Sequence, residues 1–352
     1  MKFTCSLILV LLINLINQST SAQQLPSVQI LQDSLKSSFR GLSVPSDNVV
    51  WVSGSNGTVG RSIDAGKSWN WMIVPGFEKR DFRDIEAFDS LTAIIMAVDN
   101  PADILKTTDG GKNWKVVFHK DHEGMFLDAM DFDDAKGICI GDPLPTKDSG
   151  RNSFFVIHTK NRGDDWWIEN VPPTSSEGEA IFAGSGSNIA LLKKRSIKAA
   201  FITGGVTSNL HFIYSNRKIS YTVNIPIIQH KASAGSFSMQ SNGSKNFYIT
   251  GGDYVEYWKD SGNVVYTTNA GKTWQRSSVH GYRSCIIQSA KKTFITCGTN
   301  GVDISFDGCK TWQLIHGDGA KGKDGFNVCA KSKTGKTVYF AGNGKIGKLI
   351  YP

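Results

Sequence analysis

Beyond its first 22 residues the sequence has no apolar run long enough to cross a bilayer, no dense tract of Lys and Arg, and an odd number of cysteines. The first absence excludes a helical anchor in the body of the protein, because a spanning helix needs roughly 20 apolar residues. The second argues against nucleic acid as a partner. Although the formal net charge is +8, the densest basic cluster is Lys193-Lys194-Arg195, which suits a solvated hairpin turn. The five cysteines after the leader, Cys139, Cys285, Cys297, Cys309 and Cys329, cannot all pair, and their spacing fits neither a zinc site nor a disulfide scaffold. Cys285 and Cys297 lie symmetrically about a turn centred on Lys291, where a bridge and two buried thiols are equally compatible with the spacing.

Cofactor and nucleophile motifs are missing as well, so no cofactor is expected. There is no phosphate loop and no Gly-x-Ser-x-Gly elbow. The stretch Gly342-Asn343-Gly344-Lys345-Ile346-Gly347 has dinucleotide-type glycine spacing, but only five residues follow it, too few for the helix and strand that give the pattern meaning. His119 and His122 sit among Asp121, Glu123 and Gly124, which reads as an exposed loop and not a metal site.

What is present begins with a leader. Lys2, the apolar run Leu7 to Leu15 and the small residues Thr20-Ser21-Ala22 have the three-part form of a secretory signal peptide ending at residue 22. The expectation is an exported, periplasmic or secreted protein whose residues 23–352 form one domain. Glycine (36 residues) and aromatics (11%) suit many short strands joined by tight turns.

A motif of the form Ser/Thr-x-Asp/Asn-x-Gly-x-x-Trp recurs five times: Ser62 to Trp69, Thr107 to Trp114, Thr159 to Trp166, Thr267 to Trp274 and Ser305 to Trp312. The last copy has Cys309 in place of glycine, and a degenerate sixth, Ser215 to Tyr221, fills the long gap between Trp166 and Trp274. In each copy the Asp or Asn oxygen accepts backbone N–H groups, Gly supplies positive φ, and Trp covers the turn. The repeat of about 40–55 residues is the span of a four-stranded propeller blade. Seven strand starts precede these turns, at Phe39, Phe82, Phe126, Gly178, Gly235, Tyr282 and Phe326. The seventh unit ends one strand short, and Ser27 to Leu31 is expected to supply that strand and close an all-β, seven-bladed β-propeller.

The turn motif resembles the Asp-box of sialidase-type (BNR) repeats, and residues 27–352 resemble the propeller family of the photosystem II assembly factor Ycf48 (Hcf136), including its non-photosynthetic bacterial members. That resemblance implies a role in handling or assembling other proteins. It implies no thylakoid setting.

The turn residues Asp64, Asp109 and Asp307 and the strand starts belong to opposite faces of such a ring. The strand starts carry Arg40, Arg83, Asp84, Asp128, Glu179 and Arg283, and loops on the same face carry Asp99, Asp142 and Asp253. Their convergence on one axis is the candidate ligand site. Three arginines there point to an anionic group, because guanidinium offers a planar fork to paired oxygens. The leading expectation is a non-enzymatic propeller binding a protein or peptide partner through Arg40, Arg83 and Arg283. The alternative is a glycoside hydrolase or carbohydrate-binding propeller, with Asp142, Glu179 and Asp253 as acid/base candidates. The sialidase pattern itself is broken: Gly41-Leu42 follows Arg40 where Ile-Pro is expected, and Tyr282 directly precedes Arg283, so their side chains should point to opposite sides of a strand.

Overall fold

The computed structural model describes residues 24–146, 150–194, 196–215, 221–335 and 337–352. The leader at 1–22, Arg195 and most of the degenerate turn, at 216–220, lie outside the described residues. Among the described residues there is no α-helix; the strands form seven antiparallel sheets, one per blade. Each sheet runs in sequence order from an inner to an outer strand, except that the fifth gains the short pair Glu179–Ala180 and Gly204–Gly205 from blade 4 beside its inner strand, and except the seventh. There Ser27–Gln32 pairs with Ile346–Ile350 as the outermost strand, so the N-terminal segment closes the ring by bonding to the last blade.

Strand composition follows position. The second strand of blade 2, Ala93–Ala97 (AIIMA), is buried at every residue because both of its faces meet a neighbouring blade. The outer strand of that blade, Lys115–Lys120, is mostly exposed or half-buried. The apolar core is accordingly a set of seams between blades. One cluster joins Trp51 and Val59 of blade 1 to Phe82 and Ile95 of blade 2, and another joins Ile140 and Phe154 of blade 3 to Ala199 and Phe201 of blade 4.

The five turn motifs share one geometry. Ser62 Oγ accepts the amide of Gly66 at 2.8 Å, and Asp64 Oδ1 accepts the amide of Ser68 at 2.9 Å. The same hydroxyl-to-amide bond recurs from Thr107, Thr159, Thr267 and Ser305. The Ser68 hydroxyl and amide hold the Asp64 carboxyl down to about 2, and the Asn113 amide and side chain do the same for Asp109. These carboxylates are committed to their turns. In the fifth copy Cys309 takes the left-handed conformation itself (φ 70°), at the position where the other copies use glycine.

Two features shape the centre of the ring. First, four inner strands carry a register shift near their start, leaving Arg40, Arg83, Asp128 and Phe237 as the extra residues of blades 1, 2, 3 and 5. A bulge re-aims the side chain it inserts, and these four stand at equivalent places around the axis. Second, the inner strand of blade 4 does not begin at Gly178, as the repeat suggests. Glu179–Ala180 pairs with Gly204–Gly205, and the regular inner strand starts only at Ile189. The segment between them, Ile181 to Asn188, runs across the axis. It touches blades 1, 2, 5 and 6 through Arg40, Asp84, Ser238 and Ser284, which a segment of blade 4 can do only by crossing the channel.

Candidate functional site

The crossing loop is a plug. Phe182 stacks on Phe237 with centroids 4.0 Å apart and planes within 3°, Ser185 Oγ donates to the Ser284 carbonyl at 2.7 Å, and Ser187 Oγ lies 2.6 Å from Ser238 Oγ. Gly186 packs directly on the Asp84 carboxylate, a position that leaves no room for a side chain. The plug separates an upper mouth, at the strand starts, from a lower mouth, on the face of the turn motifs.

The upper mouth is a funnel of about 690 Å³ whose wall includes Arg40, Arg83, Asp142, Phe182, Phe237 and Tyr282. Arg40 donates Nη1 to the Gly184 carbonyl at 3.1 Å, and Arg83 donates Nε to Asp81 at 2.8 Å. Burial, with the charge of Arg83 beside it, lowers the Arg40 guanidinium below its ordinary value. Two cations are thus held together in a partly desolvated cup, each with much of its donor fork uncommitted, and an anion entering between them relieves their repulsion. Burial raises Asp142 to about 6 against the Ile181 amide that it accepts at 2.8 Å. Tyr254, Tyr257 and Lys323 extend the rim.

The remaining residues expected at the mouth are placed elsewhere. Arg283 is fully buried: Nε and Nη2 donate to Asp303 Oδ2, and Nη1 donates to Asn300 Oδ1 at 2.6 Å. Tyr282 and Arg283 precede the inner strand Cys285–Ala290 and diverge, Tyr282 into the funnel and Arg283 into blade 6, so the expected triad is a pair. Glu179 also faces inward, accepting from His211, Asn209 and Thr203; although burial opposes ionisation, these donors hold its carboxyl below the usual range. Asp253 caps its own loop through the amides of Val255 and Glu256 and pairs with Lys231 at 3.2 Å; those partners outweigh burial and hold it low. Asp142 and Glu179 border one cleft of about 580 Å³ beside the funnel, but Asp253 lies outside it and only Asp142 is in the funnel, so the three carboxylates proposed for acid/base work do not meet at one place. Asp128 lies beneath the wall, fully buried, facing the Ala183 and Asp142 amides without a well-formed hydrogen bond; burial and then Asp142 push it well above the usual range, against Arg83 and those amides. Asp99 contributes a carbonyl to Arg80, not a carboxylate to the mouth.

Asp84 belongs to the lower mouth, a space of about 600 Å³ shared with Glu86, Asp131, Gln240, Gln288 and Lys333. Burial raises all three acids: Glu86 to about 8 with Asp131 adding to it, Asp131 to about 6, and Asp84 well above the usual range with Glu86 adding. Sequence reasoning missed Glu86 and Asp131 because nothing in one strand reveals what faces it across a channel. The plug had a visible signal, the polar glycine-rich stretch Gly184-Ser185-Gly186-Ser187, which is unsuited to a strand interior.

All five described cysteines are free thiols in buried positions, with Cys285 and Cys297 opposite each other on neighbouring strands. Among the described residues no group of His, Cys, Asp and Glu is arranged to hold a metal ion.

No family model matches the sequence, and no curated protein matches it. Solved structures do match in fold. Ycf48 bound to D1 peptide aligns with a TM-score of 0.61 at 13% identity, over 94% of this protein and 98% of that one. Ycf48 from Cyanidioschyzon merolae aligns at 0.62 and 16%, over 92% and 98%. The WD40 β-propeller domain of Doa1 aligns at 0.60 and 11%, over 93% and 98%. A match of similar quality to a WD40 domain marks these likenesses as likenesses of architecture.

Proposed function

We propose that this protein is an exported, non-enzymatic propeller that binds a protein partner at the upper mouth, taking a carboxylate of the partner, such as the C-terminus of a polypeptide, between Arg40 and Arg83. The observation that carries this reading is the pair of partly uncommitted guanidinium groups in an aromatic-walled funnel closed below by the plug. Aromatic walls accept an apolar terminal side chain while the arginines take its carboxylate. A channel closed below suits a polypeptide end more than a through-going strand.

The leader at residues 1–22 supports export to a periplasmic or extracellular compartment. That Ycf48 bound to D1 peptide is among the similar folds supports a peptide as the class of ligand and assembly or stabilisation of another protein as the role. In this reading the protein is a non-photosynthetic counterpart of such propellers, with Asp-box turns. The test is a library of peptides with free and amidated C-termini, titrated calorimetrically against the mature protein. Free-acid peptides should bind and their amides should not; equal binding of the two forms removes the carboxylate from the reading.

A further inference from the structure

On the face of the turn motifs, between blades 3 and 4 and away from the axis, lies a groove of about 630 Å³. At other seams the motif glycine packs on the preceding blade: Gly66 on Leu31 and Tyr339, Gly111 on Met72, Gly163 on Ile94, Gly271 on Val223. The fourth blade's turn segment, Ser215 to Tyr221, contains neither the Gly nor the Trp of the other copies.

The groove has a flat apolar element and an excess of positive charge. Trp167 is 42% exposed and is steadied by His158, with centroids 5.9 Å apart and planes 28° apart. His158 Nε2 and Lys198 Nζ both bond Glu169 Oε2, at 2.9 and 3.0 Å, so that carboxylate is matched locally. Lys193 pairs with Asp133 at 3.3 Å. Lys136, Lys160 and Lys194 line the groove as well and make no ion pair among the described residues; Lys160 Nζ lies 5.0 Å from the Trp167 ring centroid. Three unpaired ammonium groups in one groove with an indole, one of them over its ring, call for an anion joined to a flat, partly apolar body. An added peptide strand is a poor occupant, because the blade 3 edge beside the groove, Trp167–Ile168, is two residues long and offers little backbone to pair with. Ammonium groups, unlike guanidinium forks, demand no bidentate partner and accept carboxylate or sulfate alike.

We propose that this groove binds an anionic saccharide, a sugar ring packing its C–H face on Trp167 while its carboxylate or sulfate meets Lys136, Lys160 and Lys194. The site is on the face opposite the upper mouth and stands independently of the peptide reading.

The test titrates the full mature protein with tetragalacturonate, a sulfated tetrasaccharide, neutral maltotetraose, tetraglutamate and inorganic sulfate at one fixed ionic strength, reading indole fluorescence and heat. At least one of the two anionic saccharides should bind at least about tenfold more tightly than maltotetraose, tetraglutamate or sulfate, the scale of one charge-assisted hydrogen bond. Which of the two binds identifies the anion. Lys160→Ala and Trp167→Ala should each weaken that binding about tenfold or more, Trp167→Phe should retain most of it, and Arg40→Ala should leave it unchanged. Equal affinity for sulfate alone or for tetraglutamate, no binding of either anionic saccharide, or unchanged affinity in Trp167→Ala with an unchanged melting curve each overturn the proposal.

Discussion

Arg40 Nη1 donates to the carbonyl oxygen of Gly184 at 3.1 Å, tying the first blade to the plug that crosses from the fourth. The bond uses one of five guanidinium donors and fixes the direction in which the others point.

Arg40→Ala and Arg83→Ala should each weaken a carboxylate-terminated peptide by about 1.5–3 kcal/mol, and Lys at either position should restore only part, since a point charge loses the planar fork. Because Asp142 ionises in the same cup with a value of about 6, affinity should fall as pH rises from 5 to 7 and stay flatter in Asp142→Asn. Calorimetry over that range reads both effects.

Arg283→Ala should behave in the opposite way. Removing it leaves the buried Asp303 carboxylate with only the partly exposed His280 as a charged partner, and breaking a buried, hydrogen-bonded ion pair costs about 3–5 kcal/mol. Urea unfolding should show that loss, with peptide affinity of the folded variant kept. A stability change under about 1 kcal/mol would contradict the buried pairing.

Glu86 binds its proton more tightly in the folded protein, where its value is about 8, than at its ordinary 4.5. Between those values the folded state carries more bound protons, so this residue's contribution destabilises increasingly as pH rises from 4.5 to about 8 and is constant above. Glu86→Gln should therefore unfold at higher denaturant concentration than wild type at pH 8.5, with the gap closing by pH 4.5. A gap independent of pH would place the residue in water instead of the channel.

Deleting residues 24–33 should expose the edge of Ile346–Ile350 and open the ring at blade 7. Light scattering and thermal melting should report association and a lower melting temperature; a monomer with an unchanged melt would mean the closing strand is dispensable.

The turns and the blade count were legible in the sequence because they are local. Five eight-residue motifs specify their own hydrogen bonds from Ser62 to Trp312, and the fourth strand missing from the seventh blade could be matched to Ser27–Leu31 by counting four strands per blade. Arg283 was still expected at the mouth beside Arg40 and Arg83, while alternation of neighbouring residues set Tyr282 against Arg283 and counted against a sialidase-like pocket. Which residue of that pair faced the funnel was not local: Arg283 turns inward because Asp303 and Asn300, about 20 positions later, complete its donor set there. The course of the plug was not local either, although its polar, glycine-rich composition was visible. Ile181 to Asn188 leaves the blade because its partners, Arg40, Asp84, Ser238 and Ser284, belong to four different blades and meet only when the ring closes. Tertiary closure likewise decided which acids share the lower mouth, since the environment of Glu86 and Asp131 is set by what faces them across the axis and not by their own strands.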